Sequence, residues 1–371
     1  MDSIEGRESS HEVMLVIGTR PEIIKAAPLV REIVDTDSLY LSLIHTGQHY
    51  DNNLSGEFFD VLKLPQPDKH LEMGSGEHYE QTSRGIAQLG KVINTRDSAI
   101  VLAVGDTNTV EAAAIATSKM EVPFGHIEAG IRSYDRTMPE ETNRIIADHL
   151  AEIGFAPTTE AKKNLAEEGM TDAVYVTGNP VVDACIEHSE IAENTSNALQ
   201  RFEVEKDEFV LATIHRERNV TDTDRLSRIV ESLVDSDTIV VFPLHPRTKN
   251  AIEKANLSSG ESVILTDPLD YLDFLNLLSN ARAIITDSGG IQEEASVLET
   301  PCLTVRPNTE RPETVAAGVN KLVKPEEILP ELNTLIQDDT AAVEMTGSPE
   351  LYGDGTAAES ILSLIVETVG K

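Results

Sequence analysis

The feature that most constrains the fold is the regular alternation of short apolar runs with amphipathic stretches along the chain. An apolar run between polar segments is typical of a strand buried on both faces, and the amphipathic stretch after it is typical of a helix. This repeated strand–helix unit predicts a parallel sheet covered by helices. In the first half the predicted strands are Val13–Ile17, Leu39–His45, Ile100–Val104, Pro123–His126 and Ile153–Ala156. The predicted helices begin near Pro21, Gln81, Asn108, Pro139 and Thr158.

The same pattern occurs a second time, after a polar and acid-rich segment. A chain of 371 residues exceeds the usual size of one hydrophobic core, so two domains are expected. The sequence therefore predicts an α/β fold of two Rossmann-like doubly wound domains that face a central cleft, with the ligand site in that cleft. In the second half the predicted strands are Val210–Ile214, Ile239–Pro243, Ser262–Thr266, Ala283–Thr286 and Cys302–Val305.

Changes in composition give the predicted boundaries. Residues 1–12 are polar and acidic without an apolar core, which is typical of a disordered leader and not of a signal peptide. We expect the N-terminal domain at 13–185, a hinge at 186–207 and the C-terminal domain at 208–352. In the last segment, 353–371, apolar residues recur at helical spacing, which predicts an amphipathic helix over Thr356–Val369.

The charge and cysteine content limit the classes of partner. The formal net charge is -34, from 64 acidic and 30 basic residues, so nucleic acid and anionic membranes are unlikely partners. The acids are spread through periodic segments, which indicates a halophilic protein whose self-repulsion is screened by salt. No apolar run approaches the ~20 residues of a membrane span. Together with two widely spaced cysteines, Cys185 and Cys302, these features predict a cytoplasmic location.

Several predicted strands of the first half end in residues that suit ligand binding. The turn Gly18–Glu22 opens a helix whose N-terminus, with Arg20, attracts an anion, although an ordinary turn with an exposed arginine fits equally well. Lys25 in the same helix faces either the cleft or the solvent. Asp106 follows a buried strand and is either a helix cap or a functional carboxylate. The chain has no G-x-G-x-x-G at the first turn, so no dinucleotide cofactor is expected.

Two glutamates follow in the same half. Glu128 ends a nearly apolar strand without an adjacent capping role, so its burial is costly unless it is paired. Thr137–Glu140 matches a capping box, and Arg144 permits a helix salt pair with Glu140. From the residues alone, the structural interpretation of Glu140 is favoured.

The second half places cations and a glycine-rich turn after its predicted strands. His215 and His245 are each followed closely by an arginine, and two such pairs in an acidic protein indicate bound phosphate. The turn Ser288–Gly290 leads from a strand into a helix, which presents bare backbone N–H groups as a diphosphate cradle does. Glu294 in that helix suits ribose hydroxyls, and Arg311 adds a cation near another helix start. No metal-ligand spacing is present, so no metal is expected.

Taken in order, six motifs carry a family resemblance: Gly18–Glu22, Gly105–Thr107, His126–Gly130, Pro139–Arg144, Asp287–Glu294 and Glu310–Glu313. Together they resemble the non-hydrolysing UDP-N-acetylglucosamine 2-epimerases, from about Val13 to the terminal helix. The resemblance implies a glycosyltransferase-B-like pair of domains, a homodimer, and cofactor-free interconversion of UDP-N-acetylglucosamine and UDP-N-acetylmannosamine for cell-surface polysaccharide biosynthesis.

The resemblance also implies roles for individual residues. It makes Asp106, Glu128, Glu140 and His215 the catalytic groups, which reverses the structural interpretation of Glu140. Gln48 and His49 lie in a stretch that resembles a regulatory substrate site of bacterial members. One departure is Glu217, where many members have a second arginine after the His–Arg pair. The residues expected to contact the UDP-sugar are Arg20, Lys25, His245, Ser288, Gly289, Gly290, Glu294 and Arg311.

Other activities remain open from the sequence. The chief alternative is an enzyme of the same fold that acts on a modified substrate, such as a UDP-diacetamido-uronic acid, or that releases free N-acetylmannosamine and UDP. A glycosyltransferase of this architecture is a different reaction class and needs an acceptor. A non-catalytic nucleotide-binding module is a further alternative, but it does not explain why carboxylates occur at the strand ends.

Overall fold

The computed structural model describes residues 11–48, 59–258, 260–346 and 351–369. These residues form two compact units, of which unit 1 holds the chain up to Ala184 and from Tyr352 onward, and unit 2 runs from Cys185 to Leu351. The predicted leader lies outside the described residues except for His11 and Glu12, which begin the first strand. Among the described helices, none has the length and apolar character needed to cross a membrane.

Unit 1 contains, within its described residues, a seven-stranded parallel sheet with the spatial order β3-β2-β1-β4-β5-β6-β7. The strands are β1 (His11–Ile17), β2 (Leu39–His45), β3 (Lys69–His70), β4 (Ser98–Val104), β5 (Phe124–Ile127), β6 (Ile153–Ala156) and β7 (Val174–Val176). The helices are α1 (Arg20–Val34), α2 (His78–Ile93), α3 (Asn108–Thr117), α4 (Pro139–Leu150), α5 (Thr159–Glu167) and the start of α6 (Pro180–Thr195).

The centre of this sheet is its most apolar part, because β1 and β4 have a strand on each side and helices on each face. Val13–Val16 and Ile100–Val104 are fully buried there. These are the runs that predicted strands from the sequence, and that prediction is confirmed. The sequence analysis missed β3 and β7, which are short edge strands with mostly exposed residues and therefore carry no continuous apolar run.

Unit 2 contains, in the part of the chain described, a six-stranded parallel sheet with the order β10-β9-β8-β11-β12-β13. Its strands are β8 (Phe209–Thr213), β9 (Ile239–Pro243), β10 (Val263–Thr266), β11 (Ala283–Thr286), β12 (Cys302–Thr304) and β13 (Asn320–Leu322). Its helices are the end of α6, α7 (Ala198–Phe202), α8 (Glu217–Val220), α9 (Thr223–Val234), α10 (Pro246–Ala255), α11 (Tyr271–Asn280), α12 (Gly289–Val297), α13 (Pro312–Ala316), α14 (Ile328–Gln337) and α15 (Asp339–Glu344), with a 3₁₀ turn at Pro325–Glu327.

Both sheets are doubly wound, because the chain moves outward from β1 and from β8 in one direction and then returns to their other side. The strand order reverses between β1 and β4 in unit 1 and between β8 and β11 in unit 2. In open α/β sheets, loops at such a switch point separate and leave room for a ligand at the carboxyl ends of the strands. The only predicted-strand omission in the described part of unit 2 is β13, again a short edge strand.

The chain passes between the units twice. The predicted hinge, 186–207, is largely helical, since α6 continues to Thr195 and α7 follows it. On the return, α16 (Ala357–Val369) belongs to unit 1, where Asp183 Oδ1 accepts the N–H of Ala358 at 2.9 Å. The predicted amphipathic stripe is confirmed, because Ala357, Ala358, Ile361 and Ile365 are buried.

Because Ile361 is fully buried on α16, we predict that Ile361→Ala lowers the free energy of unfolding by about 2–4 kcal/mol through lost burial and a cavity. Val366 on the same helix is 37% exposed, so Val366→Ala serves as the matched control and changes stability by less than about 0.5 kcal/mol. Urea unfolding followed by circular dichroism measures both. Equal effects of the two substitutions would contradict the assignment of the buried face.

Candidate functional site

In unit 1, the turn after β1 is organised around a buried carboxylate. Glu22 accepts the N–H groups of Gly18 and Thr19 at 2.8 and 2.7 Å, and the hydroxyls of Thr19 and Thr107 at 2.9 and 2.6 Å. Burial raises the pKa of Glu22 to about 7, although these hydrogen bonds oppose the rise. The N–H groups of Gly18 and Thr19 are thus occupied by the protein's own carboxylate. The exposed Arg20, at the first position of α1, is the cation of this turn.

In the turn after β4, the helix cap and the candidate functional carboxylate are two different residues. Thr107 is the N-cap of α3, and its hydroxyl accepts the N–H of Thr109 at 3.1 Å. Asp106 is therefore not the cap. Its side chain is 37% exposed and forms an ion pair with the buried guanidinium of Arg144.

The predicted capping box at Thr137–Glu140 is wrong. The N-cap of α4 is Met138, which makes no side-chain capping hydrogen bond, and the carboxylate that reaches back along the chain is that of Glu141, next to Glu140. Glu141 accepts the backbone N–H groups of Ser133 and Tyr134 at 2.9 and 2.8 Å and pairs with Arg144 at 2.8 Å. The loop before α4 folds back onto the helix and supplies these donors, which local spacing does not reveal.

Glu140 itself is half-buried, and within the described residues it makes no hydrogen bond or ion pair. The predicted salt pair between Glu140 and Arg144 is therefore wrong. Arg144 uses its guanidinium on Asp106 and Glu141. The structure does not bring Glu140 into contact with the other predicted carboxylates.

Glu128 is buried and paired, as its position after an apolar strand requires. Both carboxylate oxygens accept from Lys25 Nζ, at 2.7 and 2.8 Å. Lys25 therefore lies over the strand ends rather than in the solvent. Glu128 adopts a φ of 71°, a left-handed conformation that costs of order 1–3 kcal/mol in a residue with a side chain and is concentrated at functional sites. A Cβ at Gly105 would lie 3.4 Å from Glu128 Oε2, so Glu128 borders the loop that carries Asp106.

The regulatory candidates fall next to this arrangement. Gln48 is buried, and its Oε1 accepts the N–H and the hydroxyl of Thr109, both at 2.9 Å, at the start of α3. Its side chain thus has a structural partner in unit 1. His49 lies outside the described residues.

In unit 2, His215 and Asp287 follow the adjacent strands β8 and β11. Asp287 is fully buried and accepts the N–H groups of His215 and Arg216 at 3.0 and 2.9 Å, and the side-chain amide of Asn219 at 2.8 Å. Nδ1 of His215 lies 3.2 Å from Asp287 Oδ1. Sequence reasoning missed Asp287, although an aspartate at the end of an apolar strand raises the same pairing question as Glu128.

Two histidine rings lie side by side here, with the centroids of His215 and His245 6.1 Å apart. Burial lowers the pKa of His215, with further lowering from His245, Arg216 and Arg247, while Asp287 opposes it. Burial and Arg247 also lower the pKa of His245. His245 is the N-cap of α10, and its Nδ1 accepts the N–H of Arg247 at 3.2 Å. The neutral ring therefore carries its hydrogen on Nε2.

The glycine-rich turn of unit 2 lies against a buried ion-pair cluster. Glu310 pairs with Arg306 at 2.6 Å and Arg216 at 3.5 Å. Burial raises the pKa of Glu310, but the hydrogen bond from Arg306 and the charges of three arginines outweigh it and hold the value at about 2. A Cβ at Gly289 would lie 2.3 Å from Glu310 Oε1, whereas a Cβ at Gly290 would meet nothing within 4 Å.

The remaining predicted contacts of unit 2 lie in α12 or close to it. Ser288 is the N-cap residue of α12, and its side chain makes no capping hydrogen bond. Glu294 is buried within α12. Arg311 is also buried, and its guanidinium pairs with the fully buried Glu293 at 2.6 Å. Sequence reasoning missed Glu293 because its neighbour Glu294 carried the ribose assignment.

The structure thus groups the predicted residues in two sets, each at the switch point of its own sheet. Unit 1 groups Asp106, Glu128 and Lys25, and Arg20 lies at the adjoining turn. Unit 2 groups His215 and His245, and the helix start Ser288–Gly290 follows the neighbouring strand. No set of three or more His, Cys, Asp or Glu side chains in the described ranges is placed to hold a metal ion.

The contrast between the two glycines generates a prediction. Gly289→Ala should lower the free energy of unfolding by about 1–3 kcal/mol, because its methyl group overlaps the carboxylate of Glu310. Gly290→Ala should leave the melting temperature nearly unchanged, because its methyl group enters open space. Differential scanning fluorimetry compares the two, and equal destabilisation would show that the packing against Glu310 is not the constraint.

Comparison with known proteins gives consistent full-length similarity. The model of a family described as UDP-N-acetylglucosamine 2-epimerase matches residues 31–366. A protein of Methanocaldococcus jannaschii named UDP-N-acetylglucosamine 2-epimerase is 40% identical, over 97% of this chain and 100% of its own. A crystal structure of the M. jannaschii UDP-GlcNAc 2-epimerase in complex with UDP-GlcNAc and UDP superposes with a TM-score of 0.84 at 39% identity, over 96% of this chain and 99% of that one.

A relative with a different substrate in its name is nearly as similar. The UDP-2,3-diacetamido-2,3-dideoxy-D-glucuronate 2-epimerase of Pseudomonas aeruginosa is 37% identical, over 96% of this chain and 98% of its own. The position of the inverted carbon is common to both names, whereas the substituents of the sugar differ.

Proposed function

Because the chain belongs to the UDP-N-acetylglucosamine 2-epimerase family, we propose that it inverts C2 of UDP-N-acetylglucosamine to give UDP-N-acetylmannosamine, reversibly. The observation that carries the proposal is the pair of carboxylates at the carboxyl ends of the adjacent strands β4 and β5 of unit 1. Asp106 lies two residues after β4 and Glu128 directly after β5, and each forms an ion pair with a cation. Carboxylates at the carboxyl ends of parallel strands are placed where a substrate binds, and a carboxylate can remove or return a proton.

The chemistry of the substrate favours elimination. The C2 proton of an N-acetyl sugar is not acidic, because no carbonyl lies directly beside C2. When the C1–O bond to UDP breaks, C1 gains oxocarbenium character, and a carboxylate can then remove the C2 proton. The products are 2-acetamidoglucal and UDP. Re-addition of UDP with protonation of C2 from the opposite face gives the epimer and regenerates the enzyme.

In this proposal unit 2 holds the nucleotide. The leaving diphosphate needs donors at its oxygens, and Gly289 and Gly290 at the start of α12 are proposed to supply backbone N–H groups. Ser288 is proposed to contribute its side chain, because its N–H already donates to Thr286 Oγ1 at 3.0 Å. Arg20, His245 and Arg311 are the further UDP contacts that the family resemblance implies, and Glu294 is the ribose contact. The pKa of His215 is lowered, which favours the neutral ring, and a neutral ring is suited to orient the leaving phosphate through an N–H hydrogen bond; to protonate the phosphate, His215 would first have to become an imidazolium.

In unit 1, Asp106, Glu128 and Glu140 share the removal of the C2 proton, its return and the stabilisation of the cationic carbon. Lys25 lies against Glu128 and orients it toward the substrate in this proposal. Glu140 enters this scheme by the family resemblance alone, since its carboxylate contacts neither Asp106 nor Glu128.

A second candidate substrate is a UDP-diacetamido-uronic acid, since the P. aeruginosa relative of 37% identity carries such a sugar in its name. Parallel assays with the two sugar nucleotides distinguish the candidates. Release of free N-acetylmannosamine and UDP would indicate a hydrolase. No isomer without an added acceptor would indicate a glycosyltransferase.

The elimination route makes a direct isotopic prediction. In heavy water, each UDP-N-acetylmannosamine formed from UDP-N-acetylglucosamine should carry deuterium at C2. The proton removed from one face of C2 is lost to the solvent, and the hydrogen added to the opposite face comes from heavy water. Proton nuclear magnetic resonance of the reaction mixture measures the C2 signal. Inversion with the C2 proton fully retained would rule out the route.

We predict that Asp106→Asn lowers kcat at least about 100-fold, because an amide cannot accept the proton that a carboxylate accepts. UDP affinity, measured by calorimetry, should stay within about twofold, because UDP contacts are assigned to other residues. Glu160→Gln, an exposed carboxylate on α5, is the matched control for loss of one negative charge. Full activity of Asp106→Asn would return Asp106 to a purely structural ion pair with Arg144.

The charge reading extends the proposal to the working environment. We propose a halophilic protein, because a net charge of -34 destabilises the compact state unless salt screens the repulsion. A cytoplasmic location is proposed from the two widely spaced cysteines, and a homodimer from the family resemblance. The melting temperature should rise between low and molar potassium chloride. A melting temperature that stays constant or falls would contradict the halophilic interpretation, and sedimentation at the same salt concentrations tests the dimer.

A further inference from the structure

A buried histidine connects the two loops that carry Asp106 and Glu128. His126 lies on β5, two residues before Glu128, and is fully buried. Its Nε2 lies 2.8 Å from the backbone carbonyl oxygen of Gly105, the residue before Asp106. Its Nδ1 lies 2.6 Å from Oδ1 of Asp148 on α4. A single imidazole ring therefore spans from the end of β4 to α4.

The partners of this ring require it to carry both protons. A backbone carbonyl oxygen is only an acceptor, so Nε2 must donate to Gly105. The other oxygen of Asp148 accepts from Arg132 Nη1 at 2.6 Å and from the N–H of Gly130 at 3.2 Å, which keeps that aspartate ionised. Nδ1 must therefore donate as well, and His126 is an imidazolium.

The charges around His126 agree with that protonation state. Burial lowers its pKa, but Asp148, the carbonyl of Gly105 and the negative charge of Glu128 outweigh burial and raise it overall. Arg132, which also contacts Asp148, pairs with Glu168 after α5 at 2.7 Å. From β5, Phe124 stacks on the ring without contributing charge. The four charges of His126, Asp148, Arg132 and Glu168 balance.

The same network holds the backbone on the other side of Glu128. Asp148 accepts from the N–H of Gly130, two residues after Glu128. Gly130 has a φ of 84°, and a Cβ there would lie 2.2 Å from the carbonyl oxygen of Ala161. The chain before and after the left-handed Glu128 is thus fixed to His126 and Asp148, while His126 also fixes Gly105.

We propose that His126, as a permanent imidazolium, is a positioning residue that sets the carboxylates of Asp106 and Glu128 relative to each other for proton transfer at C2. The proposal rests on the proposed function for the identity of the reaction, but the protonation state and the bridging do not depend on it. His126 touches no reacting atom. It acts through the backbone of Gly105 and through Asp148.

The first experiment measures the ring directly. With ¹⁵N-labelled histidine in the full chain, both ring nitrogens of His126 should show attached protons from pH 6 to pH 9, assigned by the signal lost in His126→Gln. One unprotonated ring nitrogen at pH 8 would overturn the imidazolium. This measurement uses no substrate, so it stands or fails independently of the epimerase activity.

The second experiment separates positioning from simple stabilisation. Asparagine places its side-chain N–H₂ where Nδ1 donates to Asp148 and cannot reach Gly105, whereas glutamine reaches the position of Nε2. We expect His126→Asn to lower kcat at least about 10-fold with KM within about threefold, because a shift of about 1 Å in a reacting group has effects of this size. His126→Gln should recover a measurable part of that loss by restoring the bond to Gly105.

The controls keep the outcome unambiguous. His11→Asn makes the same change at an exposed residue at the start of β1, outside this network, and should retain wild-type kcat. Activity is measured well below each variant's melting temperature and expressed per folded protein. A His126→Asn protein that is less stable but has unchanged kcat would show a merely structural histidine and overturn the proposal. If the wild-type protein epimerises no UDP-sugar, it is the proposed function that has failed.

Discussion

In both units, carboxylates that end or follow parallel strands are removed from water, and each is matched by donors from the surrounding loops. Glu128 has Lys25, and Glu22 has two backbone N–H groups and two hydroxyls. In unit 2, Asp287 takes three N–H donors, and Glu310 takes two arginines. An ionised group left unpaired at these positions would cost several kcal/mol, so the loops are fixed by the acids they enclose.

Because the buried acids need partners, a cation at the site can have a structural role as well as a role in binding phosphate. Arg311 already forms an ion pair with the fully buried Glu293, so its positive charge is compensated before any phosphate binds. Truncating Arg311 would expose Glu293 to an uncompensated burial cost, and a loss of nucleotide affinity in such a variant would mix destabilisation with lost contact. At the start of α12, the N–H of Ser288 likewise has a partner, Thr286 Oγ1 at 3.0 Å, whereas a Cβ at Gly290 would meet nothing within 4 Å.

The sequence predicted the fold best where the local run of residues already indicates the environment, as a continuous apolar run does for a buried strand. The central strands of both sheets are continuous apolar runs and were found, whereas β3, β7 and β13 are half-exposed edges without a run to detect. The strand-end positions of Asp106, Glu128 and His215 follow from the same pattern. The partner of Asp106 does not follow from it, because Arg144 approaches from a helix whose docking is decided by tertiary packing.

The error at Glu140 shows the limit most clearly, since local spacing favoured a capping role for Glu140, whereas the neighbouring Glu141 accepts the backbone N–H groups of Ser133 and Tyr134 in the loop before α4. A motif read in isolation cannot distinguish these two glutamates, because either can reach back along the chain. The distinction comes from which carboxylate the loop at Ser133 encloses. Once Glu141 is enclosed, Arg144 lies between it and Asp106, and Glu140 is left without a structural bond in the described chain. The two glutamates are therefore separated by tertiary structure, which encloses one carboxylate and leaves its neighbour half-buried, and not by their local spacing.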